Sequence, residues 1–198
     1  GEQLAVQRAA DASWGGVYDH LGRPADQSAG APEPGELAVF LEPVPQNQRK
    51  PIGESVHTGI VAMDALTPLG RGQSMAVFGP DELPAGAGRS ELASRVVCAQ
   101  AALPSGIKSI LVCTGEPAQQ EAAIEGLRAG GALESTMVLR AGSPTEGVLA
   151  MQAACSIAAA EGGDVLVVID SLAPYLWLWR QSCVALQAKG VDVRAEEE

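Results

Sequence analysis

One loop of the chain has residue types that could bind a phosphate group. It spans residues 79–90 and ends in Gly88-Arg89-Ser90, directly before a segment of helical composition. A phosphate-binding loop needs glycines whose backbone N–H groups converge, a helix N-terminus, a Lys for the terminal phosphates and a Ser or Thr for magnesium. Here Arg89 stands at the Lys position, where a planar guanidinium is not equivalent to an ammonium group.

The remainder of the loop argues against a tight phosphate cradle. The spacing GxxxxGK[ST] requires a glycine at position 83, which is Leu83, whereas Gly79 lies further upstream. The loop also contains Asp81 and Glu82, which would repel phosphate, and two prolines, which lack N–H donors. We therefore expect no resident cofactor, and ATP or ADP with magnesium only as a weak ligand.

A second candidate is Asp170, an acidic residue at the end of the most apolar strand pattern in the chain. A carboxylate at the carboxyl end of a buried strand is a usual position for organising magnesium. The same side chain could instead cap the helix that starts near Leu172, and the residues alone leave both interpretations open. We expect no catalytic residue and no metal cluster. The residue types offer Gly79, Gly88, Arg89, Ser90 and Asp170 as candidates for what would be at most a vestigial nucleotide site.

The elements that must position these residues follow from the apolar patterning. From residue 56 onward, short β-branched runs alternate with Ala-rich helical segments. This pattern predicts an α/β fold with a mostly parallel sheet and helices on both faces, in which ligands bind beyond the carboxyl ends of the strands. The predicted strands are 74–79, 108–113, 136–140 and 164–170, and the predicted helices are 90–103, 117–129, 143–161 and one from about 172.

Residues 1–50 lack this alternation. The stretch 27–35 has the Gly, Pro and Ser content of a loop or linker, and residues 37–41 could form one short strand that Pro43 ends. We expect an irregular N-terminal extension that packs over the following domain or over a partner. The predicted boundaries are 1–50 for this extension, 51–190 for the α/β domain and 191–198 for an acidic tail.

Composition narrows the classes of function. The 198 residues are 46% hydrophobic and 19% charged, which is typical of a globular protein. The 24 acidic and 13 basic residues give a net charge of −11, which disfavours nucleic-acid binding because phosphate contacts need clustered cations. No apolar run approaches the roughly 18 residues that a membrane-spanning helix needs. The four cysteines are widely spaced, which predicts reduced thiols in the core.

An aromatic patch, Trp177-Leu178-Trp179, is open to two interpretations. It packs within the fold, or it forms a surface for a protein partner. A role in stacking on nucleic-acid bases is disfavoured, because such surfaces carry several basic residues among the aromatic ones. Beside this patch there is a single basic residue, Arg180.

Four stretches of the chain resemble one protein family. Residues 56–73 read VHTGIVAMDALTPLGRGQ, which is similar to the QTGIKAIDALxPIGRGQ signature before the phosphate loop in the alpha subunit of F-type ATP synthase. Residues 19–26, DHLGRPAD, resemble the DALGRPID turn at the exit of that family's N-terminal β-barrel, so the extension would hold a remnant of the barrel exit. Downstream, VVIDSL at 167–172 resembles the family's Walker B strand, IIYDDL, and WRQ at 179–181 resembles its YRQ.

This resemblance covers about residues 17–187 and implies a RecA-like P-loop NTPase core with Asp170 in the Walker B position. The family's loop, GDRQTGKT, is lengthened here and lacks its Lys. In catalytic beta subunits the last Glu of GERTRE orients the attacking water, and Gln120 stands at that place in this chain. The chain also ends before the family's arginine finger. The departures imply a truncated pseudoenzyme with negligible hydrolysis.

The resemblance leads us to expect a structural or accessory subunit of a larger organellar assembly, in a chloroplast or mitochondrion. Its partners would be protein subunits, with ATP synthase beta subunits as one candidate. Two alternatives stay open: a nucleotide-binding regulator or weak ATPase, based on Gly88-Arg89-Ser90 and Asp170, and an ATP synthase assembly factor that contacts beta subunits. If the chain were a degraded remnant without a role, we would expect it to fold poorly. The regular strand and helix patterns argue against that interpretation.

Overall fold

The computed structural model describes residues 5–9, 14–25, 34–38, 45, 47, 49, 51–79 and 88–192. The strands are β1 (Ala5–Ala9), β2 (Val17–Tyr18), β3 (Pro34–Ala38), β4 (Ser55–Val56), β5 (Leu69–Gly70), β6 (Lys108–Cys113), β7 (Thr136–Arg140) and β8 (Val165–Ile169). The helices are α1 (Val61–Leu66), α2 (Arg89–Ala102), α3 (Pro117–Ala129), α4 (Pro144–Ala160) and α5 (Ala173–Ala188).

A parallel sheet forms the centre of the fold. Its strands lie in the order β2-β7-β6-β8, and Leu111 of β6 lies opposite Val138 of β7 and Val168 of β8. Because neighbouring strands are parallel, the chain must cross over between them, and α3 and α4 make these crossovers. The strands predicted over 108–113, 136–140 and 164–170 are confirmed, with β8 one residue shorter at each end.

Apolar side chains cover both faces of the sheet. On one face the strands pack against α4, in a cluster that includes Ile110, Val112, Leu139, Ala150 and Ala154. On the opposite face they pack against α2 and α3, in a cluster that includes Leu111, Val138, Val97, Ile124 and Leu127. Successive residues of β6 alternate between the two clusters, as the two-residue period of a strand requires. The predicted α/β class with helices on both faces is confirmed.

The predicted helices also agree with the structure. The segments 90–103, 117–129 and 143–161 correspond to α2, α3 and α4, and the last predicted helix is α5. Ser143 accepts a hydrogen bond from the backbone N–H of Glu146 at 3.3 Å, and Pro144 follows it in the first turn of α4. This arrangement satisfies one of the free N–H groups of the helix start and explains why the boundary was readable from the sequence.

The N-terminal region contains more regular structure than predicted. The strands β1 and β3 pair antiparallel, with Ala5 opposite Ala38, so the prediction of an irregular extension is wrong there. The predicted strand 37–41 overlaps only the end of β3, and residues 39–41 lie outside the described ranges. The residue pattern did not predict these strands because β3 begins with Pro and Gly, which are rare in the interior of strands. Most of the predicted linker and of the acidic tail also lies outside the described ranges.

The extension packs over the main domain, as expected. The short strand β2 joins the central sheet beside β7, with Val17 opposite Val138. Tyr18 is buried in the core, and Trp14 and Leu21 lie against the same cluster. This contact makes the segment around β2 part of the central sheet and its core, whereas β1 and β3 form a separate two-stranded sheet.

The predicted strand over 74–79 is wrong. These residues are described, yet they belong to no strand, and their apolar side chains are exposed, with Phe78 86% exposed. The segment follows Arg71, whose guanidinium pairs with Asp164, the residue before β8. An apolar sequence becomes a strand only where a neighbouring backbone completes its hydrogen bonds, and within the described ranges residues 74–79 have no such neighbour.

Helix α5 lies against α4 at a point where a glycine is required. A Cβ atom at Gly147 of α4 would lie 2.8 Å from the Cβ and the Cγ of Pro174. Pro174 is buried in the first turn of α5, and its ring cannot rotate away as a longer side chain could. The α4–α5 packing therefore depends on the absence of a side chain at position 147.

We predict that Gly147→Ala lowers the free energy of unfolding by about 1–3 kcal/mol, the usual cost of overpacking, although alanine favours a helix. The matched control is Gly126→Ala in α3, where an added Cβ meets no atom within 4 Å. That control should raise the free energy of unfolding by roughly 0.5–1 kcal/mol. Urea unfolding of both variants tests this. Equal stabilisation by the two substitutions would contradict the packing argument.

Candidate functional site

The predicted vestigial site is only partly visible in the described residues. Gly79 is exposed at the end of the segment 51–79, and Gly88 directly precedes α2, whose first residues are Arg89 and Ser90. Residues 80–87 and the side chains of Arg89 and Ser90 lie outside the described part of the chain. The grouping of these residues with Asp170 stays a prediction.

The start of α2 has one property that anion binding needs. Gly88 adopts a φ of +86°, a conformation that other residues rarely adopt, and its carbonyl accepts the N–H of Leu92 at 2.8 Å. A glycine has no side chain with which to cap the first N–H groups of the helix. These groups therefore have no partner at the N-cap, as the N-terminus of a phosphate-binding helix requires.

Asp170 joins the carboxyl ends of two strands. Its Oδ2 accepts the backbone N–H of Thr114 at 2.9 Å, and its Oδ1 accepts the Thr114 hydroxyl at 2.7 Å. Its own N–H donates to the carbonyl of Val112 at 3.1 Å, which continues the ladder between β6 and β8. The carboxylate thus holds the connection after β6 against the end of β8.

The interpretation of Asp170 as a helix cap is wrong. The N-cap of α5 is Leu172, and no side chain caps the helix from that position. Ser171 accepts the N–H of Ala173 at 3.2 Å instead. Both carboxylate oxygens of Asp170 accept hydrogen bonds from Thr114, because the pairing of β6 with β8 places these two residues side by side. Its role as a magnesium-organising carboxylate stays a prediction.

Gln120 lies buried beside these strand ends, and its amide group is fully used. Its Nε2 donates to the carbonyls of Gly115, at 2.7 Å, and Ala141, at 2.8 Å. Its Oε1 accepts the Nε–H of Arg140 at 2.8 Å, and Arg140 also forms an ion pair with Glu121 at 2.7 Å. Gln120 therefore ties the first turn of α3 to the end of β7, with no hydrogen-bonding capacity left on the nitrogen.

Cys113, at the end of β6, is surrounded by the same network. Burial raises the pKa of its thiol to about 12, and the nearby Asp170 carboxylate adds to this shift, while Arg140 opposes it. The thiol is protonated at neutral pH and is therefore a weak nucleophile. All four cysteines are free, as predicted. Cys113 is buried and Cys98 packs half-buried against the core, whereas Cys183 is half-buried on α5 and Cys155 is exposed on α4, so the prediction of four core thiols is wrong.

The sequence reasoning missed two members of this polar cluster. Thr114 follows β6 directly, and Arg140 is the last residue of β7. Both are polar residues at the carboxyl ends of parallel strands, which lie at one edge of a sheet. That shared position was the signal that could have identified them as partners of Asp170 and Gln120.

A comparison with protein families matches most of this fold. The model described as "ATP synthase alpha/beta family, nucleotide-binding domain" matches residues 59–190, which include β6, β7, β8 and all of α2–α5. The chain belongs to this family. The resemblance that the signature residues suggested is confirmed, and the parallel sheet is the sheet of an ATP synthase nucleotide-binding domain.

Curated bacterial alpha subunits are similar to this chain. "ATP synthase subunit alpha 2" of Legionella pneumophila is 31% identical over 180 residues, which are 87% of this chain and 34% of the relative. "ATP synthase subunit alpha" of Dehalococcoides mccartyi is 34% identical over 182 residues, which are 87% of this chain and 35% of the relative. The corresponding subunit of Halorhodospira halophila is 29% identical over 184 residues, or 89% and 35%. The chain spans about a third of the length of these relatives.

The ATP synthase signature has a structural role in this chain. Thr58 is buried and donates its backbone N–H, at 2.8 Å, and its hydroxyl, at 2.7 Å, to Oδ1 of Asp64. Gly59 donates its N–H to Oδ2 of the same carboxylate at 3.2 Å. The hydroxyl of Thr58 is the main reason why the pKa of Asp64 is lower than usual, and the two backbone N–H groups add to the shift. Asp64 thus anchors the turn that precedes α1.

Among the described residues, no group of three or more His, Cys, Asp and Glu side chains is arranged to hold a metal ion. No helix within the same ranges is long and apolar enough to cross a membrane.

The first prediction for this ATP synthase-like domain concerns Gln120. Replacement by Glu removes two donors and places an oxygen against the carbonyls of Gly115 and Ala141, so Gln120→Glu should lower the free energy of unfolding by about 1–3 kcal/mol. It should create no ATP hydrolysis. Gln119→Glu is the matched control, because the Gln119 side chain only accepts the N–H of Glu116 and a carboxylate preserves that bond. Urea unfolding and phosphate release measure both variants, and a stable, hydrolytic Gln120→Glu protein would contradict the structural role.

The second prediction concerns pH. Because the folded pKa of Asp64 lies below its unfolded value, its ionised form stabilises the fold above about pH 4, and this stabilisation is lost as pH falls through the folded pKa. Asp64→Asn should lower the melting temperature at pH 7 by roughly 2–4 °C, the effect of about one hydrogen bond. The difference from wild type should shrink toward pH 3. The exposed control Glu134→Gln should show no such trend, and a constant difference for Asp64→Asn would refute the assignment.

Proposed function

We propose that this chain is a non-catalytic, alpha-like member of the ATP synthase family that acts as a structural or accessory subunit of a larger assembly. The observation that carries the non-catalytic part is the state of Gln120. The resemblance places the water-orienting carboxylate of catalytic subunits at this position. Here the Gln120 side chain is buried, with only 4% of the residue exposed. Its amide forms hydrogen bonds with two backbone carbonyls and with Arg140.

The phosphate loop supports the same proposal. A loop that carries Asp81 and Glu82 in front of Arg89 offers negative charge where a triphosphate needs positive charge. Phosphoryl transfer depends almost entirely on positioning and charge stabilisation, so the loss of the loop Lys and of the carboxylate base each removes a large part of catalysis. We therefore propose that turnover of ATP is negligible.

The surface of α5 supports a role in an assembly. Apolar side chains along this helix are exposed, among them Tyr175, Leu176, Trp177, Trp179 and Val184. Contiguous exposed apolar patches on soluble proteins usually mark interaction sites. These exposures favour the partner-surface interpretation of the aromatic patch, and we propose ATP synthase beta subunits as candidate partners. The organellar location expected from the resemblance stays a proposal, and the relatives named above are bacterial.

Co-expression with an ATP synthase beta subunit tests the assembly proposal. We expect the two proteins to co-elute in gel filtration at the mass of a complex. A variant with Trp177→Ser and Trp179→Ser, two exposed residues of α5, should weaken the complex, whereas Glu134→Gln, outside α5, should leave it intact. Elution of the chain as a lone monomer in the presence of the beta subunit would show that the beta subunit is not its partner.

A second candidate function rests on the start of α2. The positive φ of Gly88 and the uncapped N–H groups that follow it are compatible with an anion, so the chain could be a nucleotide-binding regulator or a weak ATPase. Calorimetry with Mg-ATP and Mg-ADP separates the two functions. Submillimolar binding that Asp170→Ala abolishes would favour the regulator, and undetectable binding would exclude it. An assembly factor is distinguished from a subunit by release of the chain once the beta subunit has assembled.

A further inference from the structure

We draw no further inference here: the strongest candidate, the open surface pocket that Trp14 and Arg128 line beside the connection between α3 and β7, carries nothing, because the guanidinium of Arg128 is already paired with Glu125, the ring of Trp14 already faces the ammonium group of Lys108, and nothing in the structure shows what would occupy it.

Discussion

The pairing of β6 with β7 on one side and β8 on the other determines where the described polar residues at the strand ends lie. Parallel strands in register end together, and this places Thr114, Ala141 and Asp170 at one edge of the sheet. Polar groups brought together at low exposure must find partners, since each unpaired one costs about 1–3 kcal/mol. Asp170 pairs with Thr114, and Gln120 pairs with Arg140 and two carbonyls. The positions of these polar groups therefore follow from the pairing of the strands.

The same constraint separates the scaffold of this family from its chemistry. The sheet, its two apolar faces and the crossover helices match the nucleotide-binding domain of ATP synthase alpha and beta subunits. They are maintained by burial of residues such as Leu111 and Val138, which do not depend on a nucleotide. The polar groups at the strand ends are occupied by one another. Burial of the apolar residues therefore stabilises the scaffold whether or not a nucleotide binds.

Local signals predicted the interior of the fold well. Strands β6 and β7 and helix α3 have their predicted bounds because the signals that set these bounds are local in the sequence. The signals are the β-branched runs of the strands, Pro117 at the start of the helix and the glycines after its end. Residues 74–79 have an equally strong strand pattern and are not a strand, since strand formation depends on a neighbour that the local sequence does not specify. The pairing of β1 with β3 was missed because β3 begins with Pro and Gly, which are typical of loops. For the site, the strand-end position identified Asp170 and the resemblance identified Gln120, but their partners depend on register between distant strands and emerge only in three dimensions.

We propose that the strand-end polar groups serve structure and that the domain does not turn over ATP. A single-turnover assay, with the chain in excess over radiolabelled Mg-ATP, measures phosphate release at the lowest rates. We expect release equal to that of buffer alone, both for the wild type and for Asp170→Ala. Release above buffer that Asp170→Ala abolishes would contradict this proposal.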